Sequence, residues 1–592
     1  MIKQINRYLQ ISFFFLLLLT FSCCGPKSMK SESLNPIVED DYTLLIYMCG
    51  SDLESRLGKG SANILEMEGA TIKDNVNVIV QTGGSKKWVD EQISPSSTDR
   101  YLIKSGKKEL IERDTIKRNF GDSDTLIDFI KFGVEHYPAK KMSLILWNHG
   151  GGPTKGVCFD ANFNNDSLTL EEIGNALSAT SSFINKWDFI GFDACLMANY
   201  DVAISLSNYA NYMIASEDLE PASGWDYKTL ISHLNEEDFY DEVINSYAKK
   251  HANNTSYTLS AIDLSSISYA TSVVNQLVGQ LNDDINNVSE AIFSKSPFGK
   301  NNENSNSGLF DLGYVANTLG IEFDSSSFIH SVNGVVHEGA SGISLYFPTQ
   351  AKDFKGYSSI CKNKEYLNYL ISYFNNEPEK TIEFTNRGYL SDNKLSFSLS
   401  SYSSKYIRSV GYELCAYLSN DVTDELYYVG NDNDVILNDS IYTVDFSGNW
   451  VYINDVLLHC DVYEETDKYT VFSSLVKIND EVGHILFTYF KSTKTIRIDG
   501  YILESDVTSR VNDITSGTCV SVLYQDVTSK TYVIEKTIIW DDKTNINIKK
   551  LASGRYQYIP YVIDIYGQSY FGMTATLNFD GENIIDIHIA EG

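Results

Sequence analysis

Two short motifs contain residues that can perform nucleophilic catalysis. His149 precedes three glycines in WNHGGG, and Cys195 ends the motif GFDAC. A cysteine attacks only as the thiolate, and a nearby imidazole lowers the thiol pKa and later protonates the leaving group. The helical pattern LMANYDVAISLS after Cys195 would place its sulfur near a helix N-terminus, which favours the anion. A cysteine–histidine pair is therefore one interpretation of these motifs.

Each motif also has a purely structural interpretation. A histidine before a glycine triplet can simply end a strand in a tight turn, and a cysteine at a strand end can belong to the core. The joint placement of His149 and Cys195 is what favours catalysis. In that case the backbone N–H groups of Gly150 and Cys195 are candidate oxyanion donors. One such donor contributes about 3 to 4 kcal/mol in other hydrolases.

The elements that must position these residues follow from the periodicity of the sequence. Between residue 42 and about residue 375, short apolar runs alternate with segments of helical period. This alternation predicts a layered α/β domain whose mostly parallel sheet is flanked by helices. Ligands bind at the carboxyl ends of strands in such sheets. His149 follows the run LILW and Cys195 follows FIGF, so the two residues share one cleft if these strands are neighbours.

The pattern changes after the polar break NNEPEK. Runs of period two, separated by Gly, Asn and Asp clusters, predict that residues 380–592 are all-β, as one or two sandwich-like modules. The α/β domain is therefore placed at residues 42–375. Binding or positioning is the expected role of the β-rich C-terminal region.

The N-terminus has the pattern of an export signal. Residues 1–22 contain a positively charged start and the apolar run ISFFFLLLLTF, which is shorter than the ~20 residues that a membrane-spanning helix needs. A small serine precedes Cys23, as in a bacterial lipoprotein signal, although Cys24 could compete as the lipidated residue. Residues 23–41 then form a polar tether. A protein that is simply secreted is the alternative.

The charge balance limits the partners. The 592 residues include 47 Lys and Arg against 78 Asp and Glu, for a net charge of −31. Such a surplus repels nucleic acid, and it also repels anionic lipid, so membrane attachment is expected only through the lipid anchor. The acidic balance suits a basic substrate, but solubility alone also explains it.

One loop has the ligand spacing of an EF-hand calcium site. The residues at the ligand positions are Asp160, Asn162, Asn164, Asp166 and Glu171. Asn165 replaces the glycine expected at position six. Thr169 and Glu172 offer an explanation without metal, because they form the capping box of the next helix. Bound calcium and a capped helix both remain interpretations, and no other cofactor is expected.

Several motifs together resemble the clostripain family of cysteine peptidases, whose catalytic domain has a caspase-like fold. The resemblance covers roughly residues 42–375 and none of the β-rich C-terminal region. The motifs that carry it, in the order of the family, are WNHGGG (147–152), GVCFD (156–160), DSLTLEE (166–172), GFDACLMANYDVA (191–203), ASEDLEPASGWDY (215–227) and GISLYFP (342–348).

The resemblance implies roles for individual residues. Cys195 is the nucleophile and His149 the general base and acid. Asp193 matches an acidic residue of the family's S1 pocket, where a carboxylate selects Arg or Lys by charge-assisted hydrogen bonds. Asp218 and Asp226 lie in a segment that borders this pocket. Which of them supplements Asp193 stays open, and solvated loop acids are the alternative.

The expected function is an exported, lipid-anchored cysteine endopeptidase that cleaves after Arg or Lys through a thioester. The alternative is a surface binding lipoprotein that uses its β-rich region, with the caspase-like domain as a scaffold or weak enzyme. Family members are often cut between the catalytic His and Cys. Here no Lys or Arg occurs between Lys155 and Lys186, so we expect an uncut catalytic chain, or trimming near Lys27 and Lys30.

Overall fold

The computed structural model describes residues 39–299, 307–420, 423–505 and 510–590, without the side chains of residues 419, 420, 423 and 424. The predicted export signal, Cys23 and most of the tether lie outside the described residues. Residues Asp40–Gly592 form one compact unit. Among the described residues, no helix combines the length and apolar character that crossing a membrane requires.

The first part of this unit alternates strands and helices. Its strands are β1 (Asp40–Cys49), β2 (Val76–Gly83), β3 (Thr98–Lys104), β4 (Lys107–Asp114), β5 (Ala139–Trp147), β6 (Val157–Asp160), β7 (Asp166–Leu168), β8 (Trp187–Asp193), β9 (Ala210–Ala215), β10 (Thr258–Asp263), β11 (Leu309–Asp311), β12 (Ile329–Asn333) and β13 (Ser344–Tyr346). Its helices are α1 (Ser51–Ser55), α2 (Lys59–Glu68), α3 (Ser123–His136), α4 (Gly152–Lys155), α5 (Leu170–Thr180), α6 (Tyr200–Leu206), α7 (Tyr227–Ser232), α8 (Phe239–Lys250), α9 (Ile267–Asp283), α10 (Leu312–Thr318), α11 (Ala351–Tyr357) and α12 (Lys364–Asn375).

The main sheet has the order β12-β10-β9-β8-β5-β1-β2-β3-β4. Its central strands β9, β8, β5, β1 and β2 run parallel, and the outer strands on each side are antiparallel. Parallel neighbours need crossover connections, which the helices supply. The predicted layered α/β architecture is confirmed.

Strand β1 shows why its sequence contains a nearly continuous apolar run. Leu45 and Tyr47 pack in the core that includes α3, α5, α6 and α9. Leu44 and Ile46 point to the opposite face and pack with α2, α7 and α8. A parallel strand covered on both faces therefore reads as the continuous run YTLLIYMC instead of an alternating pattern.

The second part is β-rich, as predicted. Its strands are β14 (Phe384–Ser391), β15 (Lys394–Leu399), β16 (Ile407–Asn420), β17 (Thr423–Asp432), β18 (Val435–Asn438), β19 (Ile441–Val444), β20 (Asn449–Ile453), β21 (Val456–Leu457), β22 (Cys460–Glu465), β23 (Tyr469–Ile478), β24 (Glu481–Phe490), β25 (Thr495–Leu503), β26 (Cys519–Asp526), β27 (Tyr532–Ile539), β28 (Ile546–Lys550), β29 (Gly554–Asp564), β30 (Ser569–Phe571), β31 (Ala575–Phe579) and β32 (Ile584–Ile589).

The β-rich region packs directly on the α/β part. Most of its described strands form a large sheet with the order β25-β24-β23-β22-β17-β16-β29-β31-β32, to which β26 adds through β17 and β23. The apolar cluster that contains β1 and α9 also contains Ile502, Val511 and Val562 of the β-rich region. A buried polar contact adds to this interface, because Asp499 accepts hydrogen bonds from the backbone and side chain of Thr255. The two parts therefore share one core.

Candidate active site

The two predicted catalytic residues lie at the same edge of the sheet. β5 and β8 are parallel neighbours, with Trp147 opposite Asp193, so His149 and Cys195 leave adjacent strands. Both are buried, at 2% and 0% exposure. Gly150 packs against the Cys195 loop so closely that a Cβ at position 150 would overlap the carbonyl oxygen of Cys195. The glycine is thus needed for the two loops to approach each other.

His149 is oriented by a carboxylate that the sequence analysis did not identify. Its Nε2 lies 2.8 Å from Oδ1 of Asp52, in α1 just beyond β1. Burial raises the pKa of Asp52, but the charge and hydrogen bond of His149 outweigh burial and lower it below the usual range. Because the carboxylate is ionised, Nε2 carries the proton and donates it. Nδ1 has no hydrogen-bond partner among the described residues, so it is available to exchange a proton with a thiol.

Cys195 is a protonated thiol in this arrangement. Burial raises its pKa to about 12, although the positive charge of Arg510 lowers it. Its Sγ accepts a hydrogen bond from the backbone N–H of Glu220 at 3.1 Å. The predicted helix directly after Cys195 is wrong in its start, because α6 begins at Tyr200 and is capped by Asn199. The sulfur of Cys195 therefore does not lie at the start of a helix, and the stabilisation of its thiolate expected from a helix N-terminus is absent.

Asp193 belongs to a fully buried cluster of two carboxylates and one arginine, and the site between the two carboxylates is called the acidic pocket. Its carboxylate accepts hydrogen bonds from the hydroxyl of Tyr227 at 2.9 Å and from Nη2 of Arg510 at 2.7 Å. A second carboxylate, Glu220, lies 3.4 Å from the same Nη2 and accepts from Nε1 of Trp225 at 3.1 Å. Asp193, Glu220 and Arg510 all have side chains with 0% exposure. The pocket therefore binds a guanidinium group between two carboxylates.

The two carboxylates of this pocket titrate as a pair. Burial raises the pKa of Asp193, but the guanidinium of Arg510 outweighs burial and lowers it below the usual value. Burial and the charge of Asp193 raise the pKa of Glu220 well above its usual value. Like charges in one buried site favour a shared proton. Asp193 therefore gives up its proton more readily than Glu220 does.

The two acids proposed to supplement Asp193 lie elsewhere. Asp218 pairs with Nε2 of His337 at 2.5 Å and accepts a hydrogen bond from the backbone N–H of Gly299 at 2.6 Å. Asp226 caps α7 by accepting from the backbone N–H of Thr229 at 3.1 Å. In the acidic pocket, the carboxylate that lies beside Asp193 is Glu220, and not Asp218 or Asp226. All three acids lie in the segment ASEDLEPASGWDY, and nothing in the sequence distinguishes Glu220 from the others.

The predicted calcium ligands are largely occupied by protein groups. Asp160 accepts hydrogen bonds from the backbone N–H groups of Phe120 and Asn162, at 2.9 and 2.8 Å. Asp166 accepts from the side chain of Asn119 at 2.5 Å. These contacts hold the β6–β7 hairpin against the loop before α3.

The remaining residues of this loop belong to the hairpin turn and to α5. Asn164 is in the left-handed conformation, with φ of 56°, and Glu171 lies in the first turn of α5. The predicted capping box is present, with Thr169 and Glu172 bonded reciprocally. Calcium binding stays a prediction. Within the described residues, the His, Cys, Asp and Glu side chains close enough to share a metal ion are Asp432, Asp434 and Glu465.

Comparison with known proteins identifies the family. A sequence model of the clostripain family (peptidase C11) matches residues 46–406. The chain belongs to the clostripain family of cysteine peptidases. Clostripain of Hathewaya histolytica is 28% identical over 224 residues, which are 32% of this chain and 41% of that protein. The chain thus matches less than half the length of this relative.

Solved structures of the same family are also similar. A secreted C11 cysteine protease from Bacteroides thetaiotaomicron, in complex with an irreversible peptide inhibitor, has 18% identity and a TM-score of 0.43, over 56% of this chain and 99% of that one. An inactive zymogen C11 protease from Parabacteroides distasonis has 19% identity and a TM-score of 0.45, again over 56% and 99%.

Proposed function

We propose that this chain is a cysteine endopeptidase that cleaves peptide bonds after Arg or Lys. The observation that carries the proposal is the acidic pocket, in which Asp193 and Glu220 hold a guanidinium group next to the Cys195 loop. A basic side chain of a substrate would find the same two carboxylates there. Arginine fits best, because its planar guanidinium engages carboxylates through charge-assisted hydrogen bonds in a desolvated site.

The proposed mechanism uses the Asp52–His149–Cys195 arrangement. Nδ1 of His149 removes the thiol proton, and the thiolate attacks the carbonyl carbon of the basic residue, whose peptide bond to the next residue is then broken. The backbone N–H groups of Gly150 and Cys195 are the proposed oxyanion donors. The ionised Asp52 stabilises the imidazolium, which then protonates the leaving amine. Water, deprotonated by His149, hydrolyses the thioester and regenerates the thiol.

The remaining features of the proposal come from the sequence. The charged start and short apolar run support export, and the serine before Cys23 supports a lipid anchor at the cell envelope. The net charge of −31 supports protein or peptide substrates over nucleic acid. We propose that catalysis needs no metal ion, because the described mechanism uses only side chains and backbone groups; calcium at the Asp160 loop would then be structural.

A binding role for the β-rich region is the second candidate. One observation favours it, a cavity of ≈ 600 Å³ in this region. Aromatic and titratable side chains line it, including Tyr428, His459, His484 and Tyr532. A ligand of this cavity would bind equally well to wild type and to Cys195→Ala, whereas peptidase activity would be lost in the variant.

Hydrolysis of short peptide amides with Arg, Lys or Leu at the cleaved bond tests the proposed activity. We expect cleavage after Arg and Lys but not after Leu. Cys195→Ala and His149→Ala should each reduce kcat/KM at least about 1,000-fold, because the pair acts as a unit. Cys519→Ala, a cysteine change in β26, is the matched control and should keep full activity. Unchanged circular dichroism would show that the variants fold. Activity of Cys195→Ala above a tenth of wild type would exclude this residue as the nucleophile.

A further inference from the structure

The acidic pocket is filled by an arginine of the chain's own β-rich region. Nη2 of Arg510 contacts the carboxylate of Asp193 at 2.7 Å, the carbonyl oxygen of Asp193 and the carboxylate of Glu220 at 3.4 Å. Its guanidinium lies 5.9 Å from the centre of the Trp147 ring. A buried cation between two carboxylates is the arrangement expected for the basic residue of a bound substrate.

The backbone next to Arg510 is held on both sides. Val511 pairs with Pro221 in a parallel bridge, in which its N–H donates to Glu220 at 3.3 Å and its carbonyl accepts from Ala222 at 2.9 Å. Asn512 pairs with Tyr501 of β25 through two hydrogen bonds of 2.8 Å. Residues 510–512 therefore form an extended segment between β25 and the loop that borders the pocket. Main-chain pairing plus a side chain in a pocket is a common mode of peptide recognition.

This segment leaves no room for a peptide at the catalytic histidine. Arg510 and Asn512 line a cavity of ≈ 10 Å³ together with His149 and Asp52. That volume holds about one water molecule. Leu53 and Leu503 are also among the residues that line it. A substrate can reach His149 only after the segment moves away.

Two details indicate that the segment is held without being cleaved. The carbonyl oxygen of Arg510, which belongs to the bond that would be attacked, accepts a hydrogen bond from the side chain of Asn512 at 3.2 Å. It is therefore engaged by the segment itself. In addition, Nε and Nη1 of Arg510 have no hydrogen-bond partner among the described residues. A substrate arginine can make bonds that Arg510 does not, so the segment can be displaced.

We propose that residues Arg510–Asn512 are an internal inhibitor, through which the β-rich region keeps the peptidase latent until the segment leaves the pocket. This inference rests on the proposed function, because it takes the Asp193–Glu220 pocket as the substrate site. A tethered ligand acts at an effective concentration in the millimolar range. It therefore occupies the pocket strongly when the intrinsic dissociation constant of the segment lies below about 1 mM.

Arg510→Gln in the full chain tests the proposal. The variant should cleave an Arg peptide amide with kcat/KM at least about tenfold above wild type, because the tethered competitor is removed. The matched control is Arg497→Gln, which removes an exposed arginine from β25 and should leave the rate unchanged. Equal rates for wild type and Arg510→Gln would overturn the inhibitor while the proposed peptidase activity stands.

A binding measurement separates the inhibitor from the catalytic function. N-acetyl-arginine amide should raise the Tm of Arg510→Gln, whose pocket is empty, and should not change the Tm of wild type, because only a ligand that binds the folded state stabilises it. If no variant hydrolyses any Arg or Lys peptide, the proposed function fails, and this difference in Tm still supports the occupied pocket. Equal shifts in wild type and variant would overturn it.

A second variant covers the case in which Arg510→Gln does not fold. Val511→Pro removes the backbone N–H that donates to the backbone carbonyl oxygen of Glu220. The variant keeps the carboxylates of Asp193 and Glu220 and the side chain of Arg510. It should also raise kcat/KM, and an unchanged rate would contradict the proposal. Mass spectrometry of purified wild type should find the bond between Arg510 and Val511 intact. A new N-terminus at Val511 would make the segment a substrate and overturn its role as an uncleaved inhibitor.

Discussion

Asp193 pairs with Arg510, and in the proposed function it also binds the cation of a substrate. Breaking a buried ion pair by removing one charge costs about 3–5 kcal/mol. We therefore expect Asp193→Asn to lower the free energy of unfolding by about this amount, in addition to reducing kcat/KM for Arg peptides far more than for neutral ones. From the sequence alone, the same substitution is expected to affect cleavage far more than stability, because no pattern in the sequence places Arg510 in the pocket.

Urea unfolding of Asp193→Asn, Arg510→Met and the double variant measures this coupling. The double variant should recover part of the loss, because neither charge is then left buried alone. Additive losses would show that Asp193 and Arg510 do not interact. Equal loss of activity on Arg and neutral peptides would place Asp193 in a purely structural role.

Asp52 should act on the rate and not on substrate binding. Asp52→Asn removes the charge that stabilises the His149 imidazolium, so we expect kcat to fall by up to about 10,000-fold with little change in KM. Because the pKa of Asp52 is lowered, its carboxylate stays ionised at a lower pH than that of a free aspartate. Asp226→Asn is the control of equal charge, since asparagine caps a helix as well as aspartate does. A change confined to KM would contradict the positioning role.

The buried pair of Asp218 and His337 predicts a pH dependence of stability. Burial lowers the pKa of His337, but Asp218 outweighs burial and raises it above 6.5. Burial raises the pKa of Asp218, but His337 outweighs burial and lowers it below 3.8. The contribution of His337 is complete below pH 6.5 and is lost as the pH rises through its raised pKa. The contribution of Asp218 is complete above pH 3.8 and is lost as the pH falls through its lowered pKa.

His337→Gln should therefore cost more stability at about pH 6 than at about pH 9, because the wild-type ion pair has weakened at the higher pH. Glu464 and Lys295 also act on His337 and are kept unchanged. Urea unfolding at both pH values measures the difference. His330→Gln, which affects an exposed histidine paired with Asp241, is the control and should show little effect. An equal cost at both pH values would contradict the ion pair.

At the scale of elements, a substitution at the start of α5 tests whether residues 160–171 are held by a helix cap or by a bound calcium ion. Thr169→Ala removes the N-cap hydroxyl and should lower the free energy of unfolding by about 1 kcal/mol. We expect the same loss with calcium and with a chelator, and no change in the Tm of wild type on chelation. A Tm that falls when calcium is removed would instead support the metal interpretation of residues 160–171.

The strands that precede His149 and Cys195 could be predicted from the sequence, because the local pattern of apolar residues depends on which positions are buried. The run LILW before His149 and FIGF before Cys195 are strands covered on both faces, and ends of neighbouring parallel strands meet at one edge. Asp52 could have been found by the same rule, since it follows β1, which lies beside β5. The helix start after Cys195 could not, because the loop before Asn199 has the same apolar composition as a helix.

The contact between Glu220 and Arg510 could not be predicted from the sequence, for a different reason. They contact each other across 290 residues of sequence. Periodicity describes each strand separately and does not say which loop of a β-rich region meets which cleft. The strands of this region were predicted, but their packing on the α/β part was not. That packing uses contacts such as Thr255 with Asp499 and Tyr373 with Ile565.

At the scale of the whole molecule, we expect the purified chain to be uncut between residues 156 and 187. Lys155 is exposed at the end of α4, but Gly156 has φ of 75° and packs against the backbone of Leu168, and β6 follows at once. A protease needs an extended segment around the cleaved bond, which this packing does not offer. Mass spectrometry of the active protein measures this. Two associated fragments with a new N-terminus at Gly156, or within residues 157–187, would contradict the expectation.

The outer strand β4 has a consequence for behaviour at high concentration. It is the last strand in the order of the main sheet, so one of its edges has no strand partner within that sheet, and such an edge can template association between molecules. Its sequence KKELIERD carries six charged residues in eight positions. A second copy that added a strand here would have to remove water from these charged side chains, which costs free energy. Charge on this strand thus protects the sheet from aggregation.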